Sequence, residues 1–260
     1  SLGQLTAGIA HEIKNPLNFV NNFADLSVEL AEELQKELGA HPDRPVAEVL
    51  PELEDLLGDL QENARRIHEH GRRADRIVYA MLQHSRGSTG EPVATDVNAF
   101  VEEYANLAYH GQRARDADFN AEVRRDLDPA VGEVPVVPQD LGRVLINLFS
   151  NAFDAVKARA QTDGPGYHPA VTVATRRAAD GVEIHVSDNG GGVESDAEGR
   201  VFEPFFTTKP TGEGTGLGLS LAYEIVTQRH GGDLRLENHP GEGATFVICL
   251  PDDPPEPPEA

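Results

Sequence analysis

Asn147-Leu148-Phe149-Ser150-Asn151-Ala152-Phe153-Asp154 reads as the middle of an amphipathic helix over 141–160. Leu141, Val144, Leu145, Leu148, Ala152 and Ala155 form its apolar stripe, and Asn147, Asn151 and Asp154, spaced i, i+4, i+7, form a polar stripe beside it. Strand patterns flank this helix: Phe119–Arg125 before it, then Val171–Arg176 and Val182–Val186, where Val182, Ile184 and Val186 share one face. A helix over Thr95–Gln112 precedes them. Leu221, Ala222, Ile225 and Val226 mark a later helix face, followed by strands near 233–237 and 244–250. The sum over 95–250 is a sheet covered by helices on one side, an α/β sandwich.

Three segments of this region carry chemistry. Amide oxygens and a carboxylate aligned as in Asn147, Asn151 and Asp154 can hold a Mg²⁺ that bears phosphate oxygens, although the same stripe would serve as an ordinary solvent face. Asp188-Asn189-Gly190-Gly191-Gly192-Val193 follows a strand directly. A carboxylate there can accept from the exocyclic amine of adenine while glycines admit the base to the backbone, but plain hairpins use such turns too. Gly212-Glu213-Gly214-Thr215-Gly216-Leu217-Gly218-Leu219 leads into a helix, where unencumbered amides suit phosphate. No Gly-Lys-Ser/Thr follows, so it is not a P-loop, and no strand precedes it as a dinucleotide fingerprint requires. Between the last two, Phe202-Glu203-Pro204-Phe205-Phe206-Thr207-Thr208-Lys209 is either a buried loop anchor or a mobile lid that brings Lys209 to phosphates.

Working outward to the N-terminus, Leu2, Leu5, Ile9, Ile13, Leu17, Val20, Phe23, Leu26, Leu30, Leu34 and Leu38 step by three and four. They predict one helix of roughly 55 Å at ~1.5 Å per residue. Gly39 stops it, and His41-Pro42-Asp43-Arg44-Pro45 makes a turn. Leu53, Leu56, Leu60, Ala64, Ile67, Gly71, Ala74, Val78 and Met81 form the stripe of a second helix. The pair is an antiparallel hairpin with one apolar seam on each helix, and two copies are expected to join as a four-helix dimer. On the first helix stands His11-Glu12-Ile13-Lys14-Asn15-Pro16. A neutral imidazole is a nucleophile, and a neighbouring carboxylate can take its proton. Asn15 shares the face of His11, and Pro16 is expected to kink the helix beside it. Taken alone, a His-Glu pair on a helix is more often solvated surface.

The divisions are therefore 1–86, a helical hairpin; 87–94, a polar linker; 95–250, the sandwich; and 251–260, an acidic, proline-rich tail expected to be disordered. With 22 Lys and Arg against 44 Asp and Glu the net charge is −22, which disfavours nucleic acid and anionic membranes as partners. The single cysteine, Cys249, falls in an apolar strand and suits a reducing cytosol. No stretch approaches the ~18 apolar residues of a membrane span. The chain opens inside a periodic apolar pattern, so a sensing region upstream is expected to be missing from it, and the remainder is expected to be cytoplasmic, on its own or as the cytoplasmic portion of a membrane-anchored sensor.

Taken in order, these segments resemble the sensor histidine kinases of two-component systems and the ATP-binding superfamily that they share with type II topoisomerases, mismatch-repair ATPases and heat-shock chaperones. The resemblance covers nearly the whole chain. It implies an α+β protein of two domains, a dimerising phosphoacceptor hairpin and a Bergerat-type ATP-binding sandwich. It implies that His11 accepts phosphate from Mg-ATP, that Glu12 is its acid/base neighbour, and that Asn15 orients water when the partner is dephosphorylated. Asn147 and Asn151 match the asparagines that hold Mg²⁺ and ATP, Asp188 the adenine-binding aspartate, and Gly190, Gly192, Gly214, Gly216 and Gly218, with Thr215 and Leu217 between the last three, the nucleotide loops. Asp154 is a departure, since many members carry Lys or Arg there; Lys209 is the residue expected to reach phosphate instead. The implied partners are the receiver domain of a response regulator and a second copy of the chain. Two other readings stay open on residues alone: an ATPase of the same superfamily that modifies no histidine, and a scaffold that binds a regulator without nucleotide.

Overall fold

A computed structural model of the chain describes residues 2–40, 46–85, 90–209 and 214–253, with backbone alone for 2–12, 40, 46–49, 76 and 79–85. Two compact units make up the chain. The first is built from α1 (Leu2–Ala40) and α2 (Val46–Ser85). The rings of Phe19 and Phe23 on α1 stack on His70 of α2, with centroids 4.6 and 6.1 Å away. Ile13, Leu17 and Val20 line a groove together with His68, Ala74 and Val78, so early α1 faces late α2 and the hairpin is antiparallel. The helix α1 runs through Pro16, which is buried, and ends at Ala40, one residue beyond Gly39. The expected turn at 41–45 lies outside the described residues.

The seam between the helices differs from the one the apolar spacing predicts. On α2 the covered positions include Leu53, Leu56, Leu60, Asn63, Ile67, His70, Gly71, Ala74 and Ile77, whereas Ala64 and Val78 are exposed. On α1 the covered positions include Ile13, Pro16, Val20, Phe23, Ser27, Leu30 and Leu34, and Leu17, Leu26 and Leu38 are exposed. One partner helix covers a stripe only two heptad positions wide. The apolar faces here are wider, so a second stripe is left over: Leu17, Val28 and Leu38 on α1, and Leu50, Leu57 and Val78 on α2. None of the helices among the described residues is long and apolar enough to cross a membrane.

The second unit carries β1 (Val93–Asp96), α3 (Val97–Arg115), β2 (Glu122–Leu127), β3 (Glu133–Val136), α4 (Pro138–Asp163), β4 (Ala170–Ala178), β5 (Gly181–Asp188), α5 (Gly218–Glu224), β6 (Asp233–His239) and β7 (Gly243–Pro251). Five strands form one sheet in the order β2-β4-β5-β7-β6, with β2 parallel to β4 and every other pair antiparallel; β1 and β3 form a separate antiparallel ribbon. Val182, Ile184 and Val186 on β5, Phe246 and Ile248 on β7, and Val171 and Val173 on β4 pack against α4 and α3 in one core. The chain enters α3 through Asp96, whose carboxylate accepts from the N–H of Ala99 at 3.0 Å, satisfying a donor that has no partner in the first turn. Pro138 begins α4 at a position where no N–H is needed. The largest fully buried α4 side chains are Phe149 and Phe153, while Ala155, an apolar-stripe position by its spacing, is half-buried.

The helix α5 passes into a wider π turn, Ile225–Arg229. Behind it His230, 2% exposed, accepts the N–H of Val137 on Nε2 at 3.1 Å and donates from Nδ1 to the Ile225 carbonyl at 3.1 Å. Arg229 reaches the buried carboxylate of Asp140 at 2.9 Å, so the start of α4 and the end of the α5 segment are tied by both residues. At the C-terminus the expected disorder does not begin at Pro251. That residue ends β7 opposite Gly181, and Asp252 pairs with Arg177 at 2.6 Å, because β5 offers an edge of matching length. Residues 254–260 lie outside the described part.

Candidate functional site

One face of α4 organises the site. Asn147, Asn151, Ala155 and Arg159 follow at steps of four and are all half-buried, so they line a single stripe. From Asn147 to Arg159 the helix rises about 18 Å. At the N-terminal end of the stripe, Asn147 donates from Nδ2 to the carbonyl of Gly218 at 3.1 Å, and a Cβ on Gly218 would stand 3.5 Å from the Asn147 amide. That places the first residue of α5 against the stripe and leaves Asn147 Oδ1 as the atom available to a cation. Asp154, half-buried, lies beyond Asn151 toward the C-terminal end of α4. Among the described residues no group of three His, Cys, Asp or Glu side chains is placed to hold a metal ion. Amide oxygens together with ligand phosphates fit Mg²⁺, which keeps much of its water and takes few protein ligands.

At the other end of the stripe, β5 delivers Asp188. Its Oδ1 accepts the N–H of Gly190 at 2.8 Å. Burial pushes the carboxyl up to about 6, against smaller opposing effects of the Gly190 and Ala244 amides. Gly190 lies so close to α4 that a Cβ there would come within 2.8 Å of the Ala155 methyl and 2.7 Å of Asp188 Oδ1. Gly192 has φ 72°, and a Cβ would approach the His239 carbonyl at 2.9 Å. The loop is held on this side by the β6–β7 turn: Val193 donates to Asn238 Oδ1 at 2.8 Å, Asn238 returns Nδ2 to the Val193 carbonyl at 2.7 Å, and Gly241 donates to the Gly191 carbonyl at 2.7 Å.

A third part is the loop between β5 and α5. Phe202 packs edge-on to Phe246, at 6.2 Å between centroids, and against Tyr223 at 5.2 Å. Phe205 and Gly216 both have positive φ and are hydrogen-bonded to each other, Phe205 N–H to Gly216 carbonyl at 2.8 Å. Leu217 is buried. Lys209 and Gly214, with Thr215 next, flank residues 210–213, which include Gly212 and Glu213 of the glycine-rich segment and lie outside the described part.

Asp188 and Gly190 are thus brought to one end of the α4 stripe, and Gly218 to the other. His11, Glu12 and Asn15 belong to α1 in the first unit. Asn15 is exposed there, and the side chains of His11 and Glu12 are not among those described. The sequence reading missed a cluster on the far side of the Asp188 loop. Arg159 Nη1 donates to the carbonyls of Asn189 at 3.0 Å and Gly190 at 3.1 Å, its Nε pairs with Asp163 at 2.8 Å, and its guanidinium lies over the Tyr167 ring at 5.0 Å. The Tyr167 hydroxyl reaches the Asn189 carbonyl at 2.9 Å and Asn189 Oδ1 at 2.7 Å. The continuing four-residue step from Asn147 was the available signal.

A sheet backed by helices, with polar amides on one helix facing a strand-end aspartate and glycine loops, defines an ATPase fold, and residues 136–254 match the family described as histidine kinase-, DNA gyrase B- and HSP90-like ATPase. Among curated proteins the chain is 30% identical over 251 residues to the sensor histidine kinase ZraS of Escherichia coli K12, covering 96% of this chain and 46% of ZraS. Among solved structures it resembles the catalytic domain of histidine kinase ThkA with a TM-score of 0.52 and 26% identity, over 63% of this chain and 99% of that one. The ThkA structure in complex with the response regulator protein TrrA shares the fold over 97% of this chain and 62% of its own length, with a TM-score of 0.60 at 24% identity. The chain spans about half the length of ZraS. Residues 136–254 therefore carry an ATPase domain of the histidine kinase, gyrase B and HSP90 type, and the helical hairpin ahead of it lies within the stretch that is similar to sensor histidine kinases.

Proposed function

We propose that the chain is the kinase core of a two-component sensor, working on the ATP-containing, cytoplasmic side of the cell. It moves the γ-phosphoryl group of Mg-ATP to His11 and then to an aspartate of a response-regulator receiver domain. The observation that carries this reading is the α4 stripe, bounded by Asn147 against Gly218 and by the Asp188 loop against Ala155; its span of about 18 Å suits an extended nucleotide. Asp188 accepts from the adenine amine through the oxygen not taken by Gly190. Gly190 and Gly192 let the base approach, and Gly214, Thr215, Gly216, Leu217 and Gly218 offer backbone amides to phosphates. Asn147 and Asn151 hold Mg²⁺ through their amide oxygens, Asp154 supports that end of the site, and Lys209 reaches phosphate. Bound Mg²⁺ supplies charge neutralisation on the phosphates.

In the reaction the lone pair of a His11 ring nitrogen attacks the γ-phosphorus, the bond to the bridging oxygen breaks, ADP leaves, and Glu12 takes the ring proton. An aspartate oxygen of the regulator then attacks the same phosphorus and the P–N bond breaks. Asn15 orients water for the reverse task, dephosphorylation of the regulator. The complex of ThkA with the response regulator protein TrrA and the similarity to ZraS support a regulator as partner. The exposed stripe of Leu17, Val28, Leu38, Leu50, Leu57 and Val78 supports a homodimer, since a lone hairpin would leave that apolar surface in water.

Incubation with γ-labelled ATP and Mg²⁺ tests the central step. Acid-labile, base-stable label is expected on the chain and absent from His11→Gln. Label of equal strength on His11→Gln would sink the assignment.

A further inference from the structure

We propose that Arg159, with Tyr167, is a positioning residue for nucleotide recognition: it fixes the loop that aims Asp188 and so sets the preference for adenine over bases without a 6-amino group. The proposal rests on the reading of Asp188 as the adenine partner.

Asn189-Gly190-Gly191-Gly192 contains three glycines in a row, which have the largest backbone freedom of any residue and no side chains to pack. Something outside the loop must hold it if Asp188 is to meet a base edge in one orientation. Two straps do so, and they differ in kind. On the β6–β7 side the contacts are neutral hydrogen bonds from Asn238 and Gly241. On the α4 side the strap is a cation. Charge-assisted hydrogen bonds are about twice as strong as neutral ones, and one guanidinium nitrogen takes the carbonyls of both Asn189 and Gly190.

The guanidinium is itself held on three sides. Asp163 fixes Nε at 2.8 Å, the Tyr167 ring lies against its plane at 5.0 Å, and the two carbonyls take Nη1. The Tyr167 hydroxyl then grips Asn189 directly, and Asn189 Oδ1 also accepts the N–H of Ala170 at 2.9 Å while Nδ2 donates to the His168 carbonyl at 2.9 Å. Every polar atom of the Asn189 side chain is therefore spent on the segment 167–170, which fixes the residue that follows Asp188 in the chain. A lysine could not reproduce this, because a point charge neither stacks flat on a ring nor offers separate edges to a carboxylate and a carbonyl pair.

The test compares dissociation constants for ADP and IDP, which differ at the 6-position and do not react, measured by calorimetry with Mg²⁺ on the intact chain. The unsubstituted chain is expected to prefer ADP. Arg159→Gln is expected to reduce that preference about tenfold, chiefly by weakening ADP and leaving IDP almost unchanged. Arg159→Lys, which keeps the charge, is expected not to restore it. Tyr167→Phe, a smaller change that keeps the stack, is expected to reduce it about threefold. An unaltered ADP-to-IDP ratio in Arg159→Gln, even with both ligands bound more weakly, would overturn the proposal by showing general damage only. A full rescue by lysine would overturn it in favour of a direct charge contact with the nucleotide. If Arg159→Gln does not fold, an unaltered ratio in Tyr167→Phe overturns it. Absence of any ADP preference in the unsubstituted chain removes the Asp188 reading itself, and the positioning role with it.

Discussion

Phe205 and Gly216 clasp the two ends of the loop between them: the Phe205 N–H meets the Gly216 carbonyl at 2.8 Å, and both residues sit at positive φ, 68° and 66°. A side chain on Gly216 would fall on the Phe205 carbonyl. Gly216→Ala is therefore expected to open the clasp and to destabilise the chain by about 1–3 kcal/mol. Urea unfolding measures the first effect, and autophosphorylation should fall with it. Unchanged stability and activity would mean the clasp is dispensable.

Asp188 gives a pH dependence with a definite sign. Its carboxyl is raised to about 6 by burial, above the ordinary aspartate value. The free protein is then most stable, so far as this group matters, at acid pH, and loses that contribution as pH rises from the unfolded value through about 6. Ligand preference runs the other way. Below about pH 6 the acid form turns Oδ2 into a donor, which suits the 6-oxygen of IDP and not the amine of ADP. The ADP-to-IDP preference should fall by up to about tenfold per pH unit there, and Asp188→Asn should abolish the pH dependence. A flat profile in the unsubstituted chain would contradict the assignment.

His230 predicts the opposite slope in stability. Burial lowers its basicity, and its ring must stay neutral to accept the Val137 N–H. The stability it contributes is complete above the unfolded histidine value of about 6.5 and is lost as pH falls below it toward the depressed folded value. His230→Phe should cost about 1–3 kcal/mol at pH 7.5 by leaving the buried Val137 N–H without its partner. It should also flatten the acid limb of the curve, which thermal melts across pH would record.

For the hairpin, Leu57 and Val78 are exposed at 48% and 38% although they lie on a heptad step. Leu57→Asp is expected to convert a dimer to a monomer in sedimentation equilibrium while ADP affinity stays the same, because Asn147, Asn151 and Asp188, to which Mg²⁺ and the base are assigned, belong to the second unit. A dimer of undiminished strength would place the interface elsewhere.

The layered architecture was legible because α4 and the strands β4, β5 and β7 carry strong periodic patterns. Parts of the detail were not. The ribbon strands Val93–Asp96 and Glu133–Val136 are short, and their partner is distant in sequence, so neither has a local signature. In α2, Ile77 and Val78 are adjacent and both apolar; only the packing decides that Ile77 is covered and Val78 is not. The glycine and asparagine segments were readable as a set because their order is informative even where each is weak alone. Arg159 escaped because an arginine on a helix ordinarily reads as solvated surface; the four-residue step from Asn147 places it on the stripe, but its meaning depends on two carbonyls about thirty residues away in the chain.

The α4 stripe imposes a condition of phase on the chain. Asn147, Asn151, Ala155 and Arg159 share a face only because no residue intervenes to shift the count. A single insertion between Asn151 and Arg159 would swing the guanidinium about 100° around the helix, away from the Asn189 and Gly190 carbonyls, while the apolar side of α4 would also lose its register with the sheet. Length changes within 206–215 carry no such penalty in register, since both ends of that loop are anchored by Phe205 and Gly216 themselves. Variation among chains of this architecture should therefore collect in that loop, and α4 should vary by substitution alone.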